Sequence, residues 1–173
     1  MGQFLLDNIA LVALFLASGA LLVWPDLSLF SGGAQSVGTT EATRLMNQPG
    51  SLVLDVREAA EFAAAHIPGA IHVPRGVLEQ ACEWDHDETE PALAGQSARA
   101  IVVVCRSGKR SLLAADTLQQ LGYTDVHSLA TGLRGWNDAE QPLVDGAGRA
   151  VDGDAAEALF APRLRPEQRR PRG

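Results

Sequence analysis

The segment Cys105-Arg106-Ser107-Gly108-Lys109-Arg110-Ser111 sets a thiol beside a cluster of cations in a chain whose formal net charge is -7. It follows the β-branched run Ile101–Val104, so Cys105 stands where a strand buried on both faces would end. In open α/β sheets ligands bind beyond the carboxyl ends of the strands, and a helix starting there adds backbone N–H donors and positive potential. Backbone amides from Arg106 to Arg110 can then converge above the sulfur, which makes a nest for an anion. The same field favours a thiolate, since helix N-termini and neighbouring Lys or Arg lower a cysteine pKa from its free value of about 8.5. Gly108 allows the tight curvature, and Arg106, Ser107, Lys109 and Arg110 complete a pocket for an anionic substrate. Cations at a helix start oppose its dipole by roughly 0.3 to 1 kcal/mol each. A purely structural helix start has no reason to carry that cost. The expected chemistry is nucleophilic sulfur, as a thiolate or as its oxidised or sulfurated derivative.

Other reactive residue types have plainer explanations. Asp55 and Arg57 predict an ion pair fixing a strand end, His66 in His-Ile-Pro-Gly-Ala a turn, and Trp136 a core position. Cys82 has acidic neighbours that would raise its pKa, and it bridges to Cys105 only if the fold brings their Cα atoms within about 7 Å. Two cysteines in a domain of this size are no disulfide framework, so the domain belongs in a reducing compartment. Glu83, Asp85, Asp87, Glu88 and Glu90 surround His86, and a solvated loop explains them better than a metal site. Nothing calls for a metal or a cofactor. The acidic surplus, with Lys109 the one lysine, argues against a nucleic-acid surface.

The elements that must hold this segment follow from periodicity and breakers. Residues 39–48 predict a helix capped by Thr39 or Thr40 and ended by Pro49-Gly50. Ser51–Val56 predicts a strand, Glu58–His66 a helix, and Ile67–Pro74 a turn into a second short strand. After the strand ending at Cys105, Ser111–Tyr123 predicts an amphipathic helix with Leu112, Ala115, Leu118 and Leu121 on one face and Gly122 closing it. Asp125–Ala130 then predicts a strand and Leu133–Glu140 a helix. This alternation predicts an α/β fold, a mostly parallel central sheet with helices on both faces.

At 173 residues there is room for one such domain and its appendages. Between Asp7 and Asp26 no residue is charged, a span of about 27 Å as a helix and close to the roughly 30 Å hydrocarbon thickness of a bilayer. Residues 1–30 are therefore expected to be one N-terminal transmembrane helix, with Trp24 at the interface and the domain on the cytoplasmic side of the inner membrane. Residues 31–37 have linker composition, 38–144 carry the domain, and 145–173 predict a flexible, Arg- and Pro-rich tail.

Three stretches together resemble the rhodanese-homology family: Leu52–Pro74 its first signature, Ile101–Tyr123 its active-site segment of CxxGxR type, and Thr131–Leu143 its closing segment. The resemblance implies a rhodanese-like sulfurtransferase of the thiosulfate type in which Cys105 takes a sulfane sulfur from a small anionic donor such as thiosulfate. Cys105 would hold it as a persulfide and pass it to a thiophilic acceptor, cyanide, a thiol or a protein. It also implies that the amides of Arg106–Arg110 cradle the sulfur and that Arg110 closes the loop. The chain departs from the family at 83–90, which has no assignable counterpart, and at Ala130-Thr131, where an acidic residue and a glycine are usual. Phosphatases of the Cys-x5-Arg type are a rival, but here the spacing to Arg110 is Cys-x4-Arg, and Ser111 offers no bidentate cation. A further alternative is a non-enzymatic interaction or redox-sensing module at the membrane.

Overall fold

The computed structural model of the chain describes residues 33–161. The expected anchor at 1–30 and the last residues, 162–173, lie outside them. Among the described residues no helix is long and apolar enough to cross a membrane.

The strands are β1 (Gln35–Val37), β2 (Leu52–Asp55), β3 (Ile71–His72), β4 (Ile101–Val104) and β5 (Val126–Leu129). They form one sheet in the order β1-β5-β4-β2-β3, and every pairing is parallel. β4 is central, with Val103 level with Leu54 on one side and Ser128 on the other. All four of its side chains are fully buried. Ile101 and Val103 point into one apolar cluster, Val102 and Val104 into the other, as the two-residue period of a strand requires. At about 1.5 to 3 kcal/mol for each buried aliphatic side chain, β4 is the most firmly held element near the site.

Helices cover both faces, as expected. α3 (Leu78–Cys82) and α4 (Lys109–Gln120) bury Leu78, Ala81, Ala114, Ala115 and Leu118 in the first cluster. α1 (Thr39–Met46), α5 (Gly132–Asp138) and α6 (Gly153–Phe160) bury Ala42, Leu45, Leu133, Trp136, Ala156 and Phe160 in the second. α2 (Ala59–Ala64) starts with a capping box between Glu58 and Glu61.

Three details differ from the sequence expectation. α1 is capped by the backbone of Gly38 and already includes Thr39, whose carbonyl accepts the Thr43 hydroxyl. α4 begins at Lys109 rather than Ser111 and turns Ser111, Ala114, Ala115 and Leu118 inward, leaving Leu112 and Leu121 partly exposed. The reason is polar: the Ser111 hydroxyl is drawn to partners at the strand ends. Finally, residues 145–161 do not leave the domain as a flexible tail. Val144 pairs with His66 and with Ala150, and α6 then packs on α5 by burying Ala156 and Phe160. Likewise, residues 35–37 of the expected linker form β1 beside β5.

This topology places the site. The connection leaving β2 buries Ala65 and Ile67 in the second cluster, whereas the helix leaving β4 packs in the first. Adjacent strands whose connections depart to opposite faces leave a crevice beyond their carboxyl ends. Asp55, Arg57 and Cys105 stand at that crevice.

Candidate active site

Cys105 directly follows β4 and is 1% exposed. Its Sγ lies 3.4 Å from the Ser111 Oγ, within reach of a thiol donating to that oxygen. Ser111 donates in turn to the Gly108 carbonyl at 3.0 Å and accepts from the Ser128 hydroxyl at 2.9 Å. Ser111 and Ser128 are both fully buried, so three polar side chains meet under the loop in an otherwise apolar layer.

The loop is held from the other side by the turn after β5. The Leu133 N–H donates to the Cys105 carbonyl at 2.8 Å, and the Arg134 N–H to the Arg106 carbonyl at 3.1 Å. In a planar trans peptide the C=O of one residue and the N–H of the next point opposite ways. Anchoring those two carbonyls on α5 therefore aims the Arg106 and Ser107 amides away from α5. Among the described residues none of the amides from Arg106 to Arg110 donates a hydrogen bond. These are the free donors that the sequence argument required.

Two glycines make the fit possible. Gly108 has φ +85°, and a Cβ there would run into the carbonyl of Ala130. Gly132 has φ +60°, and a Cβ there would strike the Cys105 carbonyl and the Arg106–Ser107 peptide. The loop and the β5–α5 turn thus interlock backbone to backbone. The contact at Gly108 involves the carbonyl of Ala130 and not its side chain.

The cations divide. Arg110 forms a bidentate pair with Glu61 of α2, at 2.8 Å for each nitrogen. That pair holds the Glu61 carboxyl below its ordinary range and the Arg110 guanidinium above its own. Arg110 is therefore a strap from the loop to α2, and its charge is already matched. Arg106, half-buried, and Lys109, exposed, form no ion pair among the described residues. Ser107 is exposed and Gly108 is buried.

Below the crevice Asp55 and Arg57 form the expected ion pair, both almost wholly buried. The Arg57 Nε lies 2.9 Å from Oδ1, its second nitrogen 2.7 Å from Oδ2, and the Ala65 carbonyl accepts from it at 2.6 Å. Removing one partner of such a pair strands a buried charge and typically costs about 3 to 5 kcal/mol. The Phe160 ring of α6 lies 5.9 Å from the Arg57 guanidinium carbon and caps the pair. His66 closes its turn by donating through Nδ1 to the Phe62 carbonyl, and Trp136 is buried with its indole N–H on the Pro142 carbonyl. Cys82 and Cys105 are both free thiols. Burial, not acidic neighbours, raises the Cys82 pKa, and a hydrogen bond with Tyr123 partly offsets it. Among the described residues no cluster of His, Cys, Asp and Glu suits a metal ion.

Glu61, Ser111 and Ser128 are the site residues that sequence reasoning missed in these roles. Ser128 did leave a signal, a hydroxyl on the core-facing side of a strand, two residues from Val126. Glu61 left none, because its role depends on how α2 lies across the loop.

A model of the rhodanese-like domain matches residues 39–139. The human thiosulfate:glutathione sulfurtransferase is 30% identical over 112 residues, covering 62% of this chain and 97% of that protein. The Bacillus subtilis putative sulfur carrier protein YrkF is 36% identical over 84 residues, 49% of this chain, which spans only 40% of that longer relative. Among solved structures, a Rhodopseudomonas palustris protein of unknown function, described as a possible tyrosine phosphatase, superposes with a TM-score of 0.59 at 27% identity. That match covers 67% of this chain and 89% of the other. The parallel sheet, the Cys105 loop at its carboxyl edge and the family match over 39–139 coincide, and the chain belongs to the rhodanese-like domain family.

Proposed function

We propose that the protein is a sulfurtransferase that carries a sulfane sulfur on Cys105. The observation that supports it most is a buried cysteine followed directly by five backbone amides, Arg106 to Arg110, that donate no hydrogen bond among the described residues. In the first step the Cys105 thiolate attacks the outer sulfur of a thiosulfate-type donor. The donor S–S bond breaks, sulfite leaves with the electron pair, and Cys105 is left as a persulfide anion in the amide cradle. In the second step a thiophilic acceptor, cyanide, a thiol or a protein, takes the outer sulfur and Cys105 returns to thiolate. No general base is needed once the thiol is ionised. The uncharged run from Asn8 to Pro25 supports a membrane tether at residues 1–30, and the first cation, Arg44, lying beyond the run supports the domain facing the cytoplasm.

Phosphatase chemistry is the weaker reading, because the Cys-x4-Arg loop lacks the longer span and its arginine is taken by Glu61. The test uses the full 173-residue chain, held in mild detergent, incubated with thiosulfate and analysed by mass spectrometry. The expected result is one added sulfur, removable by cyanide and absent in Cys105→Ala. An unchanged wild-type mass with every donor tried would sink the proposal.

A further inference from the structure

Away from Cys105, at the amino ends of the strands, lies a cavity of about 450 Å3. It is lined by the start of β2, the end of α1, the Ile67–Gly69 turn and α5. Leu52 at the start of β2 is level with Ile101 at the start of β4. Cys105 stands four residues beyond Ile101, so roughly 13 Å of strand, at about 3.3 Å per residue, separates it from that level. The apolar walls come from Met46, Val53, Pro68, Trp136 and Pro142. The chain has 21 Asp and Glu, yet none of them lines this cavity, and its one charged group is Arg99.

Arg99 is held by carbonyls alone. Its Nε donates to the Gly50 carbonyl at 2.5 Å, one terminal nitrogen to Ala92 at 3.3 Å and the other to Ser51 at 3.5 Å. A guanidinium carries five N–H donors, so two of them have no partner among the described residues. No carboxylate among those residues comes within ion-pair distance. The positive charge is thus fixed in place and not neutralised. A side chain already ordered gives up little freedom when it binds an anion.

We propose that this cavity is a second binding site, which takes a small carboxylate with an apolar body. Its volume falls within the range of small-molecule pockets, about 300 to 1,000 Å3. The carboxylate meets the Arg99 guanidinium, whose planar fork of donors matches a planar acceptor. The body lies against Met46, Val53 and Pro142, where it leaves water. The occupant is no partner in the sulfur exchange, because it sits at the opposite edge of the sheet from Cys105. The site therefore stands or falls independently of the sulfur transfer proposed above.

The full chain in mild detergent is titrated calorimetrically with 4-phenylbutyrate, with butyrate, which lacks the ring, and with 4-phenylbutanol, which lacks the charge. Protein-free runs measure partitioning into micelles. Wild type is expected to bind 4-phenylbutyrate at one site, about tenfold more tightly than either of the others. Arg99→Gln is expected to erase the preference for acid over alcohol, a ratio read within one variant, and Arg99→Lys to restore part of it. Asn47, exposed at the rim and in an ordinary helical conformation, accepts a larger side chain without strain. Asn47→Trp is expected to block 4-phenylbutyrate while its urea midpoint stays that of wild type. Equal affinities for the three compounds, or binding that survives both Arg99→Gln and Asn47→Trp, would overturn the site. Binding lost in Arg106→Gln but kept in Arg99→Gln would place the probe at the cysteine loop and overturn it equally.

Discussion

Three hydroxyl and thiol hydrogens are shared beneath the loop, and the state of Cys105 decides how. As a thiol, Cys105 donates to Ser111, which donates to the Gly108 carbonyl. Once the sulfur is ionised it can only accept, so the Ser111 hydroxyl can swing toward it, while Ser128 keeps donating to Ser111. Ser111 thus touches the reacting atom and Ser128 positions Ser111. Ser111→Ala is expected to slow persulfide loading at neutral pH by about tenfold, the worth of one hydrogen bond to a charged group. Ser128→Ala should do the same to a smaller extent, and loading rates followed by mass spectrometry check both. Loading as fast as wild type in Ser111→Ala would reduce Ser111 to packing. Cys105 itself was legible because strand end, cation cluster and glycine are all local in sequence. Ser111 was read only as a failed arginine position, since a serine at a helix start gives no sign of which way it faces.

Glu61 joins two elements, because the carboxylate that caps α2 also straps the loop through Arg110. Its folded-state pKa is lowered, chiefly by the Arg110 hydrogen bonds. The pair's contribution to stability is therefore fully present above the ordinary carboxyl value of 4.5, and it is lost as pH falls through the depressed value. Both side chains are about a third exposed, so solvent screening holds that contribution to about 1 kcal/mol. Glu61→Gln is expected to lose this increment at neutral pH and to converge with wild type in acid, as urea unfolding at the two pH values will show. Loading should slow in the same variant, because Arg110 then has no fixed partner. β2 to β5, α1, α2 and α5 were legible from period and breakers, whereas β1 lay in the expected linker. The face of α4 was legible only in part, since Ala115 and Leu118 turn inward as expected and Leu112 and Leu121 do not. Leu112 and Leu121 suggested a stripe, but Ser111 outcompeted it for the interior, and buried hydrogen bonding overrode a hydrophobic count.

At the scale of the whole domain, the parallel sheet with two helical layers was legible because β4 is a continuous apolar run and its neighbours alternate with helices. α6 was not legible. An eight-residue helix that anchors itself with Ala156 and Phe160 leaves little periodicity to read. Its weight is nonetheless large: Phe160→Ala is expected to destabilise the domain by about 3 to 5 kcal/mol in urea unfolding. A near-wild-type midpoint would show α6 to be an appendage. The burial of Cys105 has one more consequence for traffic through the site. A cysteine that is 1% exposed, directly after the innermost strand, cannot be swung out to meet its partners. A sulfur attached to it, however, stands about 2 Å beyond Sγ. In the proposed reaction the first substrate thereby leaves behind the one atom that extends the cysteine's reach. The order of arrival would then be enforced by depth: whatever takes the sulfur finds little to attack until the donor has come and gone.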